Sequence, residues 1–306
     1  MSITINSKIY TIIEEIGEGG FGKVYKVINE NKEYALKKIP LNNKLEEDKI
    51  KNEAKILSSI NNEHIVKYYD SYQDEEYFYI LMEYCEGMNL RELIDKHNKE
   101  DKPINENLIY NIILDICLGI KEIHKNNIIH RDLKPENIFK LNNNKIKIGD
   151  FGISKQLEKN KKSASTQIGK FNYNPPEFFK GKYTNRIDIW SFGCIIYELL
   201  TLNYCFENVY DMFEKTNNNG LYGKIDINLY NSKWQDLIDL LLKKDYNERP
   251  NIDDIYNFLK KELNNITQKL IRIRISNDEI RNIQKQGKNI TYINSKKQFT
   301  IIYFII

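Results

Sequence analysis

Apolar residues change their spacing partway along this chain, and the change separates two kinds of structure. In the first part, β-branched and aromatic residues fall in short runs, which predicts strands over Ile9–Glu15, Val24–Asn29 and Glu33–Ile39. Tyr77–Tyr84 is a denser aromatic and aliphatic run and reads as a further strand. One helix interrupts them within Leu45–Ser59, where Ile50, Ala54 and Leu57, followed by Ile60, keep helical spacing. Beyond Cys85 the pattern turns helical. Leu108, Ile109, Ile112, Ile113, Ile116, Ile120 and Ile123 recur at i, i+3 and i+4, an amphipathic helix that delivers the chain to His130. Ile187–Leu200 is apolar nearly all round, and a helix of that kind is buried. Trp234–Leu242 and Ile252–Leu263 predict closing helices.

Composition narrows this picture only a little. A chain of 306 residues buries a sizeable core as one large or two smaller domains. Hydrophobic content of 41% and charged content of 29% are ordinary for a globular protein. The net charge of +3 makes no case for nucleic acid, but it is unevenly spread. Residues 263–306 hold eight Lys/Arg and two Asp/Glu, a balance of +6, which leaves residues 1–262 at −3. Cys85, Cys117, Cys194 and Cys205 form no CxxC pair and no zinc spacing, so a reducing, intracellular compartment is expected, the cytoplasm first and the nucleus second. Met1–Tyr10 lacks the pattern of a signal peptide, and no apolar run approaches the roughly 20 residues of a membrane span. The asparagine runs at 142–144 and 217–219 read as polar loop filler.

The candidate chemistry is concentrated in His130-Arg131-Asp132-Leu133-Lys134-Pro135-Glu136-Asn137, followed by Asp150-Phe151-Gly152. Asp132 is able to accept a proton, while Asn137 and Asp150 offer the hard oxygen ligands that Mg²⁺ prefers. Such a set suits phosphoryl transfer, where positioning and charge neutralisation do most of the work. Upstream, Gly17-Glu18-Gly19-Gly20-Phe21-Gly22 continues as Lys23-Val24 and sits between two predicted strands, not before a helix. That context argues against a dinucleotide-binding fingerprint. Singly, each of these residues is more often structural; in this order and spacing they point one way.

Taken together they resemble the eukaryotic protein kinases of serine/threonine type, over roughly residues 8 to 263. The resemblance implies an α+β, bilobal protein kinase fold: a small antiparallel β-sheet lobe with one helix (1–84), and a larger, mainly helical lobe (85–263). The basic tail with an apolar C-terminus (264–306) stays unassigned. It implies ATP and Mg²⁺ as cofactors, with Gly17, Gly19 and Gly22 in the lid over the phosphates and Lys37 of Tyr34-Ala35-Leu36-Lys37 on the α- and β-phosphates. Glu53 would hold Lys37, Met82 would close the back of the adenine pocket, and Glu83 to Cys85 would form the hinge whose backbone binds adenine. Val24, Ala35 and Phe139 would sandwich the base, and Asn137 and Asp150 would hold Mg²⁺. Asp132 would be the catalytic base, and Lys134, typical of the serine/threonine branch, would neutralise charge on the transferred group. Glu177 would pair with Arg249, and Asp188 would satisfy backbone donors of the His130–Arg131 turn.

Arg131 before the catalytic aspartate marks kinases switched by activation-segment phosphorylation, and Thr166, Ser165 and Ser163 are the candidate acceptors. Ile153 hints at threonine over serine in substrates. One departure stands out: where the family has Gly-Thr-x-x-Tyr, this chain has Gly169-Lys170-Phe171-Asn172-Tyr173. The sequence from Phe192 to Leu202, with Gly149 and Asn137-Ile138-Phe139, is similar to the NIMA-related (NEK) kinases, while the initiation-factor kinases share some of these features. The expected function is therefore transfer of the ATP γ-phosphoryl group to Ser/Thr hydroxyls of a protein substrate. The alternative is a pseudokinase-like, nucleotide-binding scaffold, which Lys170 favours. No nucleic-acid partner is expected. The tail, with its alternating Ile271–Ile275 and apolar end, reads as a strand packed on the large lobe or the start of a domain cut short, ahead of contact with an anionic membrane.

Overall fold

The computed structural model describes residues 2–19, 22–41, 50, 51, 54, 57–150, 172–181, 184–217 and 223–262. The chain divides into two compact units, 1–256 and 257–306. In the second, residues 257–262 are described and are helical.

The first unit opens with a six-stranded antiparallel sheet made of β1 (Ser2–Ile5), β2 (Lys8–Gly19), β3 (Gly22–Asn29), β4 (Lys32–Pro40), β5 (Tyr68–Gln73) and β6 (Tyr77–Glu83), in the order β1-β2-β3-β4-β6-β5. Two-residue turns set its register. Asn6–Ser7 and Glu30–Asn31 all have positive φ, which matches the twist of flanking strands and favours asparagine. The Asn6 side chain donates to Asp70 Oδ2 at 2.8 Å, so the first turn reaches the opposite edge and the sheet curls on itself. Alternation along β4 then sorts the faces. Leu36 joins Ile5, Tyr10, Val27, Tyr79 and Leu81 inside the curl, while Ile39 packs with Ile50, Ala54, Phe78 and Ile80 on the other face. Ala35 and Lys37 share the face of Ile39.

Three expectations change here. β1 was not anticipated, because four residues are too short for a periodic signal. β5 was missed as well, since Tyr68-Tyr69-Asp70-Ser71-Tyr72-Gln73 carries no clean alternation and takes its shape from β6. Gly17 and Gly19 lie within β2 rather than in a loop: Gly17 pairs with Val24 and Gly19 with Gly22, the ladder continuing past register shifts near Glu14 and Gly17. Gly22 has φ +131, and a Cβ there would sit 1.9 Å from the Lys38 carbonyl oxygen, so only glycine fits.

The helical part follows. α1 (Leu90–Lys99) starts with a reciprocal capping box between Asn89 and Glu92. α2 (Glu106–Lys125) buries the apolar stripe read from the sequence. A three-stranded sheet of β7 (Gly87–Asn89), β8 (Ile138–Leu141) and β9 (Ile146–Ile148) packs against α1 and α2. α3 (Arg186–Thr201) is the central helix, buried from Ile187 through Leu200, and its Trp190 stacks on Phe206 at 5.3 Å between ring centres. α4 (Val209–Asn217) and α5 (Lys233–Leu241) complete the packing, and residues 252–262 are helical. Among the described residues no helix is long and apolar enough to cross a membrane.

Candidate active site

The site is assembled where α2 ends. The chain leaves that helix through Asn126 and Asn127 and returns to the body at His130, which is fully buried. Asp188, in the first turn of α3, anchors this return. Its Oδ2 accepts from the His130 N–H at 2.9 Å and its Oδ1 from the Arg131 N–H at 3.0 Å, while His124 Nε2 lies 2.8 Å from Oδ2. Burial alone would raise the Asp188 carboxyl, but the His124 hydrogen bond and the neighbouring donors hold it below the usual carboxylate range. The anchor keeps Arg131 at φ +68, an uncommon conformation for a residue other than glycine, which the two carboxylate contacts sustain. Asp188 thus meets the expected backbone donors from inside α3, whose N-cap is Asn185.

The His130 ring links the two motifs. Nε2 donates to the Gly149 carbonyl at 3.0 Å, and Nδ1 accepts from the Asp132 N–H at 3.3 Å. One nitrogen donating and the other accepting is the neutral imidazole, and burial lowers this group's pKa accordingly.

Asp132 lies in the resulting loop with its side chain 13% exposed. Lys134 Nζ stands 3.0 Å from its Oδ2. Asn137 Nδ2 donates to the same oxygen at 3.1 Å and to the Asp132 carbonyl at 2.8 Å. Burial would lower the Lys134 pKa, but the Asp132 carboxylate raises it, so Lys134 stays a cation. Asn137 spends its amide nitrogen inside the loop and so keeps its Oδ1 as an acceptor. Its backbone carbonyl takes the Gly149 N–H at 2.9 Å, which fixes Asp150 one residue further on. A Cβ at Gly149 would lie 2.9 Å from both Phe139 Cε2 and Val66 Cγ2, so close packing requires a glycine before Asp150.

Across from this loop lies one face of the six-stranded sheet. Gly17 is opposite Val24, Val24 opposite Lys37, and Lys37 opposite Ile80; Ala35 is opposite Met82. Directly opposed residues put their side chains on one face. From that face Lys37 forms a direct ion pair with Asp150. Behind it a cavity of about 30 Å³ is lined by Leu57, Ile65, Val66, Ile80, Met82 and Gly149, among others. Glu83 is held at the end of β6: its carboxylate takes Lys147 Nζ at 2.8 Å and the Lys67 N–H at 3.0 Å. Burial pushes the Cys85 thiol up to about 12, so it stays protonated at neutral pH. Phe139 sits in β8 opposite Asn89 and Lys147.

The structure therefore gathers Lys37, Asp132, Lys134, Asn137 and Asp150, with Val24, Ala35 and Met82 on the facing sheet. Glu53, Ser163, Ser165, Thr166 and Lys170 lie outside the described residues. The Glu177–Arg249 pair forms as expected, with two hydrogen bonds of 2.5 and 2.9 Å, and the Arg249 guanidinium also lies 4.8 Å from the Trp190 ring. Two residues escaped sequence reasoning. His124 sits in the last turn of an amphipathic helix with nothing local to mark it. Arg91 is an arginine in the first turn of α1, where arginines are commonplace, yet it contacts three other elements.

The donor set fits a magnesium nucleotide. Among the described residues no three His, Cys, Asp or Glu side chains gather into a metal cage. A cation here would take one or two protein oxygens, from Asn137 and Asp150, and the rest from phosphates and water, which is the usual manner of Mg²⁺. Lys37, one residue pair from the Gly17–Val24 rung, supplies the positive charge that phosphates require.

Comparison with known proteins gives the same reading. The protein kinase domain family matches residues 10–259. Mouse serine/threonine-protein kinase Nek3 is 36% identical over 245 residues, covering 79% of this chain and 47% of its own length. Human serine/threonine-protein kinase Nek5 is 37% identical over 207 residues, 65% of this chain and 28% of its own. The chain thus spans about half, or less, of these curated relatives. A crystal structure of Rad53 residues 1–466 in complex with AMP-PNP superposes with a TM-score of 0.67 at 28% identity, covering 81% of this chain and 64% of that one. The chain belongs to the protein kinase family and is similar, within it, to the NIMA-related serine/threonine kinases.

Proposed function

We propose that this chain is an active serine/threonine protein kinase that uses ATP with Mg²⁺ and is regulated through its activation segment. The observation that carries the reading is the convergence of Lys134 and Asn137 on one Asp132 carboxylate, in a loop tied through Asn137 and Gly149 to the Lys37–Asp150 pair. Asp132 would orient a substrate Ser/Thr hydroxyl and receive its proton, with Asn137 fixing the carboxylate rotamer. Lys134 would stand beside the attacking oxygen and offset negative charge there. Lys37 would hold phosphate oxygens, and Asn137 Oδ1 and Asp150 would hold the metal. When bound, the metal nucleotide supplies the γ-phosphoryl group and neutralises its developing charge. The sheet face of Val24, Ala35 and Met82 would receive the adenine, excluding water on that side. Thr166, with Ser163 and Ser165 beside it, would be the switch, Arg131 being the cation that a phosphate would engage.

A second reading rests on Lys170, which replaces the family's threonine. A lysine there would compete for the Asp132 carboxylate and leave a nucleotide-binding scaffold with little transfer. Labelled ATP and Mg²⁺, given to the wild type and to Asp150→Ala with sites mapped by mass spectrometry, separates the two. Label at Thr166 or its neighbours in the wild type alone is the expected result. Intact ATP binding without label in either would establish the scaffold, and Lys170→Thr would then be the variant that regains transfer.

A further inference from the structure

Arg91 carries more charged contacts than any structural role for the first turn of a surface helix calls for. Its side chain is 17% exposed. Nη1 lies 2.7 Å from Glu198 Oε1 and 3.6 Å from Asp95 Oδ1, and Nε lies 3.2 Å from Glu136 Oε1. Nη2 donates to the Tyr173 hydroxyl at 2.7 Å, and the guanidinium lies 4.9 Å from the Tyr204 ring. Tyr173 in turn donates to the second oxygen of Glu198. Carboxylates meeting a planar fork, with aromatic groups around it, are what a site for an arginine side chain consists of.

The walls of this site come from elements that border the reacting group. Glu136 is four residues beyond Asp132 in the same loop. Tyr173 closes the stretch that begins at Asp150, and Ser191 of α3 holds its carbonyl at 2.8 Å. Glu198 comes from the same helix and is 2% exposed. Burial raises the Glu198 pKa despite the Arg91 and Tyr173 hydrogen bonds, so this carboxylate depends on its partners.

We infer that Arg91 is the resident occupant of an arginine pocket beside the acceptor site, and that it sets substrate choice by denying this pocket to basic residues of a protein substrate. The inference rests on the kinase reading above. Little is left for an incoming cation. One Glu136 oxygen is taken by Arg91, and the other is shielded from solvent and has no hydrogen-bond partner among the described residues. Both Glu198 oxygens are engaged. The wild-type protein therefore gains nothing from an arginine near the acceptor. With Arg91 shortened, Glu136, Glu198 and Asp95 would face an empty space of guanidinium shape.

The test uses the full chain and a set of threonine peptides, each carrying a single Arg or Ala at one position from four residues before the acceptor to three after it. Binding is read by fluorescence anisotropy with AMP-PNP and Mg²⁺ present, and transfer is read separately. Wild type is expected to bind each Arg/Ala pair within about twofold. Arg91→Ala should favour Arg at one position by at least about tenfold, as for a partly buried charge pair. Glu136→Gln in that background should erase the gain, and ethylguanidinium should compete for it. Arg91→Gln replaces Arg91→Ala if the latter melts below the assay temperature. An arginine preference already present in wild type, or a folded Arg91 variant blind to arginine, would overturn the inference; a purely structural Arg91 would weaken all peptides alike. Absent transfer with the binding pattern intact would instead remove the kinase reading and leave the pocket standing.

Discussion

Lys37 of β4 and Asp150 beyond β9, 113 positions apart, meet in a direct ion pair that joins the six-stranded sheet to the loop carrying Asp132. The pair explains why Lys37 can be withdrawn to 8% exposure: a withdrawn ammonium needs a carboxylate, and Asp150 provides it. Both groups also fit the charges of a metal nucleotide, so they are expected to act as one unit. Lys37→Met and Asp150→Asn should each lower transfer by more than about 10²-fold, and the double variant should be no worse than the poorer single. Single-turnover rates of the three proteins decide this; losses that multiply would show that the two residues act separately.

Lys134 and Asn137 both touch the Asp132 carboxylate. Asp132→Asn preserves shape and removes the proton acceptor. Turnover should fall by roughly 10²- to 10⁴-fold, the range for a general base, while nucleotide affinity measured by calorimetry stays within about twofold. Ordinary turnover in this variant would exclude Asp132 from the chemistry.

Asp188 is 1% exposed and accepts from two backbone N–H groups of the catalytic loop. Asp188→Ala strands those donors together with His124. A loss of about 3–5 kcal/mol is expected, as for removing one partner of a buried charged network. Urea unfolding measures it, and a change under about 1 kcal/mol would mean the loop is held elsewhere.

Glu177 and Arg249 form a buried pair, the guanidinium flanked by Trp190. Glu177→Ala leaves that charge alone and should cost about 3–5 kcal/mol. Glu177→Leu combined with Arg249→Met should regain much of the loss, because two apolar groups of similar volume leave no charge behind. Melting curves for the singles and the double form the cycle; strict additivity would deny the coupling.

Burial lowers the His130 pKa from its ordinary 6.5. Below that pH the unfolded chain binds a proton that the folded protein refuses, so stability is complete above about 6.5 and declines as the pH falls. The melting temperature of the wild type should drop between about pH 7 and 5 more steeply than that of His130→Phe, which has no such proton to bind. Parallel profiles would mean that other groups account for the acid sensitivity.

Much of this site was readable from residue order. Asp132, Lys134 and Asn137 fall within one short loop, and backbone geometry leaves them few ways not to meet. The stripe from Leu108 to Ile123 and the nearly all-apolar Ile187–Leu200 specified their helices, because each satisfies its own hydrogen bonds and shows its burial in its apolar pattern. β1 and β5 were not readable, because a short strand or one without clean alternation is decided by the strand beside it.

The sequence by itself determined the family, the loop chemistry, the strand that carries Lys37 and the helices that support them. Only the tertiary structure decided the remaining partners: Asp150 for Lys37, His124 behind the Asp188 anchor, and the ring of carboxylates and tyrosines around Arg91. The physical reason is that local spacing follows from covalent geometry, while contacts between distant residues follow from how helices and sheets pack, and a charge withdrawn from water is satisfied by whatever that packing brings within reach.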